Sequence, residues 1–142
     1  MFDKIVLLYY FQIRNLINFS YIKGDFMKMI LVIEDYVVLS KMWRKLLSDV
    51  AFVLTAETLQ QGQELFNKHK EGLDLVAVDG EVHGSVNNTV VLVKKIVGEF
   101  PSSKILAISG DPDNNKILIK AGCEHSVIKQ EVVGKIRELL SK

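Results

Sequence analysis

Three carboxylic acids, a hydroxyl and an amine each follow a short apolar run of this sequence. Glu34 and Asp35 come after the first run, Asp79 after the third, Ser109 after the fourth and Lys129 after the fifth. Crowded carboxylates repel one another unless a cation joins them, and Mg²⁺ prefers oxygen ligands of this kind. An aspartate can also accept a phosphoryl group as a nucleophile, while Mg²⁺, a lysine and a hydroxyl neutralise the phosphoryl oxygens. If the fold gathers these residues, they supply the parts of a phosphoryl-transfer site.

Each of these residues taken alone has an ordinary structural explanation. An aspartate after a strand usually starts a turn or caps a helix, and Ser109 before Gly110 is a common loop pair. Lys129 taken alone is a solvated surface lysine. It is the joint placement at the ends of four runs that favours a functional site over turn chemistry.

The apolar runs are short and nearly continuous, which is typical of parallel strands buried on both faces. They alternate with amphipathic segments that predict five helices. The fourth helix has Asp111 as its N-cap, Pro112 at its first position and Gly122 at its end. This alternation predicts right-handed βαβ units and an open, doubly wound α/β sheet, which binds ligands at the carboxyl ends of its strands. The strands are predicted at Met29–Ile33, Val50–Ala56, Leu73–Val78, Lys104–Ile108 and Ser126–Ile128, and the helices at residues 36–48, 57–70, 88–99, 112–121 and 131–141.

The composition is that of one globular domain. Of the 142 residues, 49% are hydrophobic and 25% are charged, which argues against a disordered chain. The formal net charge of +1 gives no electrostatic footprint for nucleic acid, so direct nucleic-acid binding is not expected. The single cysteine, Cys123, excludes an intramolecular disulfide and a cysteine-based zinc site, and it indicates a reducing, cytoplasmic location.

The first 26 residues do not fit the alternating pattern. Only Ile5 to Phe11 is unbroken apolar sequence, far short of the ~20 residues that a membrane helix needs. Asp3 stands where a signal peptide is basic, and no small-residue cleavage site follows. We interpret residues 1–26 as an extension outside the fold; docking on the domain or on a second copy is the next alternative, and a membrane-surface anchor is the least favoured. The domain itself is predicted over residues 27–142.

Four ordered stretches resemble the receiver domains of two-component response regulators. The family's first strand, acidic pair and first helix are similar to ILVIEDYVVLSKMWRKLL, and its third strand with the phosphoacceptor is similar to LDLVAVDGEV. Its fourth strand with the switch hydroxyl is similar to KILAISG, and the approach to its lysine is similar to AGCEHSVIKQ. The resemblance covers about Met29 to Leu140 and implies a flavodoxin-like, five-stranded parallel sheet of order 2-1-3-4-5.

The resemblance implies a role for each residue of the site. Asp79 is expected to be the phosphorylated aspartate, while Lys129 pairs with the phosphoryl oxygens and Ser109 donates a hydrogen bond to them. Mg²⁺ is the expected cofactor. Its protein ligands are expected to be oxygen atoms of four residues, namely the carboxylates of Glu34, Asp35 and Asp79 and the backbone carbonyl of Glu81.

The resemblance also implies partners. The phosphoryl donor is expected to be a histidine kinase or a histidine phosphotransfer protein, and the output a changed protein contact or a further step of a phosphorelay. Such a domain catalyses its own phosphorylation and dephosphorylation without turning over an external substrate. Because Lys142 is the last residue, we expect signalling by direct contact with a protein target rather than through an attached output domain.

The sequence departs from the family pattern around this site. Gln130 replaces the proline that usually follows the lysine, and Ser126 replaces the aromatic ring that usually reports the phosphorylation state. His83 replaces a frequent proline, and residues 84–89 form a slightly longer loop without the usual Asp-Gly pair. Glu81 lies where family members tune the lifetime of the phosphoryl group. The serine predicts that coupling to the outer face of the domain is weak or takes another route.

Two alternatives to an active receiver stay open. One is a degenerate pseudo-receiver, a protein-binding module that works without phosphorylation. The other is an unrelated α/β protein, such as a Mg²⁺-dependent phosphatase or a flavodoxin-like binder. No G-x-G-x-x-G motif follows the first strand, so a dinucleotide ligand is not expected.

Five further residues receive an interpretation from their positions. Trp43 on the first helix is interpreted as a packing residue, with a partner-binding anchor as the alternative. Cys123 is interpreted as a small buried hydrophobic residue. His69, His83 and His125 lack metal-ligand spacing and are interpreted as loop or surface residues.

Overall fold

The alternating strands and helices form an open parallel sheet of order 2-1-3-4-5. The structure, a computed structural model, describes residues 27–84 and 86–142. Its strands are β1 (Lys28–Ile33), β2 (Ala51–Ala56), β3 (Leu75–Asp79), β4 (Ile105–Ser109) and β5 (His125–Ile128), and its helices are α1 (Val37–Leu46), α2 (Leu59–His69), α3 (Val86–Val97), α4 (Pro112–Ala121) and α5 (Val132–Leu140). The predicted fold class and the strand order implied by the resemblance are therefore confirmed.

Most of the predicted element boundaries differ from the structure by one or two residues, and two of these differences have a local cause. β3 begins at Leu75 rather than Leu73, because the Asp74 carboxylate accepts a hydrogen bond from the Met29 N–H (2.8 Å) and the chain bends there. α3 begins at Val86 rather than at residue 88, so it includes both asparagines of the Asn87–Asn88 pair, of which the prediction included only Asn88. The buried face of α3, which includes Leu92, Val93 and Ile96, outweighs the low helix propensity of the two asparagines.

Helices cover both faces of the sheet. α1 and α5 pack on one face, where Trp43 is 1% exposed, and α2, α3 and α4 pack on the other, where Phe66 is equally buried. Burying a large apolar side chain completely contributes roughly 1.5–3 kcal/mol, so the two layers together supply most of the driving force for folding. Trp43 is thus a core residue, and its alternative interpretation as a partner-binding anchor is wrong.

Local signals in the sequence explain how two helices fit the sheet. At the N-terminus of α4, the Asp111 side chain accepts a hydrogen bond from the Asp113 N–H (2.9 Å), and Gly122 ends the helix with φ 128°, both as predicted. In α2, a Cβ atom on Gly62 would lie 2.6 Å from Cδ1 of Ile33. The glycine that weakens the helical pattern of the sequence therefore allows α2 to lie close against β1.

Three further predictions concern the N-terminal residues, membrane helices and Cys123. The interpretation of residues 1–26 as an extension lies outside the described residues. Across residues 27–84 and 86–142, none of the helices has the length and apolar character that a bilayer crossing requires. Cys123 is buried, and this burial raises the pKa of its thiol to about 12, which fits its interpretation as a small hydrophobic residue.

Candidate functional site

The carboxyl ends of β1 and β3 bring three carboxylates together. Glu34 and Asp35 directly follow β1 and Asp79 is the last residue of β3, and one oxygen from each lies within 4.8 Å of the others. The parallel pairing of Ile33 with Val78 makes the next residues of the two strands emerge side by side. Glu34 is completely buried and Asp79 nearly so, whereas Asp35 lies at the solvent-facing rim.

Lys129 completes this group from the end of β5, the edge strand of the sheet. It follows β5, and its Nζ lies 2.9 Å from Oε2 of Glu34 and 3.6 Å from Oδ1 of Asp79. We call Glu34, Asp35, Asp79 and Lys129 the acidic cluster. Because two of its carboxylates are shielded from water, the ammonium group offsets a repulsion that would otherwise be large.

Burial and pairing act against each other on the two inner carboxyls. Burial raises the pKa of Glu34, and the charge of Asp79 raises it further, against hydrogen bonds from Lys129 and from the Tyr36 N–H. Burial likewise raises the pKa of Asp79, against the charge of Lys129 and a hydrogen bond from the Glu81 N–H. Burial lowers the pKa of the Lys129 ammonium, but its two acidic neighbours outweigh that effect and the net shift is upward. The charged form of Lys129 is therefore favoured within the cluster.

Asp35 is positioned by the loop that follows β3. The backbone N–H of His83 donates to Oδ2 of Asp35 (2.8 Å), and its Nδ1 lies 3.7 Å from the same oxygen. Burial raises the pKa of Asp35, but the His83 N–H leads the opposing contacts, which together hold this pKa below its ordinary value. His83 has φ 53° and ψ 37°, which proline cannot adopt, and proline has no N–H to donate. The interpretation of His83 as a surface residue is correct for its exposed ring but missed this backbone contact.

The hydroxyl of Ser109 lies at the start of α4. Ser109 is the last residue of β4 and is 3% exposed, and its Oγ accepts a hydrogen bond from the Asp111 N–H (3.0 Å). In the sheet it stands beside Ile128, the residue before Lys129. The predicted residues Ser109 and Lys129 therefore lie at neighbouring strand ends, although Ser109 is engaged with the backbone of α4.

A partly buried polar contact that the sequence analysis missed joins α4 to the loop after Asp79. Nδ2 of Asn114 donates to Oε1 of Glu81 at 2.6 Å, and Asn114 is only 6% exposed. The available signal was a pair of asparagines, Asn114 and Asn115, at inward positions of a helix whose buried face is otherwise apolar. The predicted role of the Glu81 backbone carbonyl as a metal ligand stays a prediction.

A surface groove lies between α4 and β5. Its volume is about 640 Å³, and Ser126, where the family has a ring, lies exposed along it. Asn115 donates to the carbonyl of Val127 (3.0 Å), and no donor among the described residues reaches its buried Oδ1. We call this surface the α4–β5 groove; its lining residues are Pro112, Asn115, Lys116, Ile119, Lys120, Ser126, Val127, Ile128 and Glu131.

The acidic cluster fits a hard divalent cation by the chemistry of its donors. All three acids offer carboxylate oxygens, which are the ligands that Mg²⁺ prefers. The buried Oε2 of Glu34 faces the Lys129 ammonium at 2.9 Å and, within the part of the chain that the structure describes, has no other hydrogen-bond donor. A carboxylate oxygen has more than one lone pair, so this oxygen can also face a metal cation held by the cluster.

Comparison with known proteins gives a clear structural result. No family model and no curated protein matches the sequence. The receiver domain protein from Clostridium thermocellum matches with a TM-score of 0.68 and 22% identity, covering 81% of this chain and 95% of that chain. A response regulator from Thermotoga maritima matches with a TM-score of 0.67 and 20% identity, covering 82% of this chain and 100% of its own.

A third match extends this result to a receiver from a different protein. The signal receiver domain of an HD domain-containing protein from Pseudomonas fluorescens is 21% identical, with a TM-score of 0.67 and coverage of 82% and 96% of the two chains. At identities this low, the matches establish the fold alone. The strand order, the five helices and these structures together show that the chain has the fold of the response regulator receiver domains.

Proposed function

We propose that the chain is a phosphoacceptor receiver that takes a phosphoryl group from a phosphohistidine onto Asp79 with Mg²⁺ bound. The observation that carries this proposal is the convergence of three carboxylates and Lys129 at the carboxyl edge of a receiver fold. Turn-starting aspartates and a solvated lysine would have no reason to meet in one partly buried cluster. The altered protein then signals through changed protein contacts or passes the phosphoryl group on.

The transfer itself needs one nucleophile and positive charge around it. A carboxylate oxygen of Asp79 forms a bond to phosphorus while the bond from phosphorus to the donor's imidazole nitrogen breaks, and the imidazole keeps that electron pair. Lys129, 3.6 Å from Asp79, places a positive charge where the phosphoryl oxygens gain negative charge. Ser109 accepts its present hydrogen bond through Oγ, so its own O–H can donate to a phosphoryl oxygen.

The predicted magnesium site uses the same residues. The carboxylates of Glu34, Asp35 and Asp79 and the backbone carbonyl of Glu81 would hold the ion. When bound, Mg²⁺ supplies charge neutralisation for the phosphoryl oxygens. The His83 N–H, by holding Asp35, keeps one of these ligands in place, as outer contacts of metal sites commonly do.

The expected partners follow from this chemistry. A histidine kinase or a histidine phosphotransfer protein would supply the phosphoryl group, and a protein target would recognise the phosphorylated form. Cytoplasmic location is the expectation that accompanies such partners. Self-catalysed phosphorylation and dephosphorylation, without an external substrate, is the activity proposed.

Intact-mass spectrometry after incubation with acetyl phosphate and Mg²⁺ tests the proposal. We expect the wild-type chain to gain one phosphoryl group, and the gain to disappear in Asp79→Asn and in wild type with EDTA. Asp113→Asn is the matched control, because Asp113 is an exposed aspartate on α4 whose carboxylate pairs with Lys116 rather than with the cluster, and it is expected to label like wild type.

A wild-type chain that neither gains the phosphoryl group nor binds millimolar Mg²⁺ would contradict the proposal. That result would favour the pseudo-receiver, which binds partners without phosphorylation. Equal labelling of Asp79→Asn and wild type would place the phosphoryl group elsewhere and would also contradict it.

A further inference from the structure

The first turn of α4 is attached to the loop after Asp79 by a partly buried hydrogen bond between side chains. Asn114 Nδ2 donates to Glu81 Oε1 at 2.6 Å, and Asn114 is 94% buried, since it is 6% exposed. Because Asn114 is buried, leaving its amide unpaired carries a desolvation cost, whereas Glu81 is exposed and can turn to water. The position of the Glu81 side chain is therefore set by α4.

Close packing at Gly80 supports the same attachment. A Cβ atom on Gly80 would lie 3.1 Å from Cβ of Asn114 and 3.5 Å from Oγ of Ser109. The Gly80 N–H also donates to the carbonyl of Ile108 (2.8 Å) in β4. The loop after Asp79 thus lies directly against the first turn of α4, and the absence of a side chain at Gly80 makes the contact possible.

Glu81 contacts both Asn114 and the phosphoacceptor. Its backbone N–H donates to the carboxylate of Asp79, while its side chain accepts from Asn114. Two consecutive hydrogen bonds therefore connect α4 with Asp79 through one residue. Ser126 stands where receiver domains usually have the aromatic ring that reports the phosphorylation state, and it carries only a small exposed hydroxyl.

We infer that Asn114 is a positioning residue that holds Glu81 against Asp79 and so slows the hydrolysis of the phosphoryl group. This inference rests on the proposed function. In the hydrolysis, a water oxygen bonds to phosphorus, the bond from phosphorus to the Asp79 oxygen breaks, and inorganic phosphate and the aspartate carboxylate are released. With Glu81 held, its backbone shields one side of Asp79 and keeps an N–H on the carboxylate. Without Asn114, the loop moves and water gains access.

The test measures the decay of the phosphorylated protein. The chain is loaded with acetyl phosphate and Mg²⁺, the donor is removed by gel filtration, and loss of the phosphoryl group is followed by intact mass. We expect Asn114→Asp, which places a second carboxylate against Glu81, to speed the decay about fivefold, the change that corresponds to the loss of one ordinary hydrogen bond. Asn114→Ala, which carries no new charge, is the second variant and is expected to change the rate in the same direction.

A swap of donor and acceptor separates positioning from general damage to the structure. In the double variant Asn114→Asp with Glu81→Gln, the new amide donates to the new carboxylate, so the contact is restored with reversed polarity. We expect Asn114→Asp to speed the decay by less than about twofold when added to Glu81→Gln. Asn115→Asp is the control, because Asn115 is an equally buried neighbour bonded to Val127 rather than Glu81, and its effect is expected to be the same in both backgrounds.

Each outcome has a distinct meaning. A wild-type chain that forms no adduct contradicts the proposed function and this inference with it. A wild-type adduct whose decay is unchanged or slowed by both Asn114 variants contradicts this inference alone. A fivefold effect of Asn114→Asp that persists undiminished with Glu81→Gln also contradicts it, because Asn114 would then act without Glu81.

Discussion

The acidic cluster and the α4–β5 groove differ in how their polar groups are paired. In the cluster, the Lys129 ammonium lies between two buried carboxylates, and backbone N–H groups hold Asp35 and Asp79. Along the groove, Ser126 is exposed, and Oδ1 of Asn115 has no hydrogen-bond partner among the described residues. The cluster contains the acidic residues and the lysine that the resemblance implies, whereas Ser126 in the groove departs from the family pattern.

Under the proposed function, this difference predicts that the chemistry of the site and its readout are separable. The chemistry would depend on charges that the strand ends bring together. The readout would depend on α4, whose first turn contacts the Glu81 side chain through Asn114 and whose N-cap, Asp111, donates to Ser109. Variants at the cluster should therefore have large effects, and variants at the groove small ones.

The largest effect is expected at the buried ion pair. Lys129→Met leaves the buried Glu34 without its partner and should lower the free energy of unfolding by about 3 kcal/mol. Lys135→Met is a matched control, because both lysine side chains are 26% exposed but Glu138, the partner of Lys135, is 52% exposed, and it should cost less than about 1 kcal/mol. Denaturant unfolding without divalent cations measures both, and equal costs would contradict the account of the cluster.

The second effect concerns the loop that holds Asp35. His83→Pro cannot keep φ near 53° and has no N–H for Asp35, so it should destabilise the fold by about 2 kcal/mol and weaken Mg²⁺ binding about tenfold. His83→Gly keeps both features and is expected to bind Mg²⁺ like wild type. Thermal unfolding and calorimetric titration with Mg²⁺ give the two values; indistinguishable variants would mean that His83 does not position Asp35.

Sequence reasoning located the acidic cluster but not the contacts around it. Glu34, Asp35, Asp79 and Lys129 could be predicted because parallel strands end at one edge of a sheet, so the residues after them must be neighbours. The left-handed conformation of His83 and the hydrogen bond from Asn114 to Glu81 depend on loop geometry, which tertiary packing sets and local patterns do not encode. These contacts need coordinates, and they explain why proline is absent at residue 83.

A smaller effect is expected at an exposed ion pair far from the cluster. Arg137 donates to both carboxylate oxygens of Asp49, and these hydrogen bonds hold the pKa of Asp49 below its ordinary value of 3.8. The pair therefore stabilises the fold fully above the ordinary pKa, and this stabilisation is lost as the pH falls through the lower, folded-state pKa. The difference in unfolding midpoint between wild type and Arg137→Gln should shrink between about pH 6 and about pH 2.5. A difference that grows on acidification would contradict this assignment.

The smallest effect is expected in the α4–β5 groove. Ser126→Tyr places a ring in an open groove of about 640 Å³, so the free energy of unfolding should change by less than about 0.5 kcal/mol. Urea unfolding of this variant beside wild type gives the value. A loss as large as that of Lys129→Met would show that the groove is as tightly constrained as the cluster and would remove the contrast between the two regions.

The most direct test of the central claim identifies the residue that carries the phosphoryl group. Chain treated with acetyl phosphate and Mg²⁺ is reduced with borohydride, which converts an aspartyl phosphate to homoserine, and is then digested and sequenced by mass spectrometry. The account predicts homoserine at residue 79 and at no other aspartate. Homoserine at a different aspartate, or none at all in Mg²⁺-saturated protein, would contradict it.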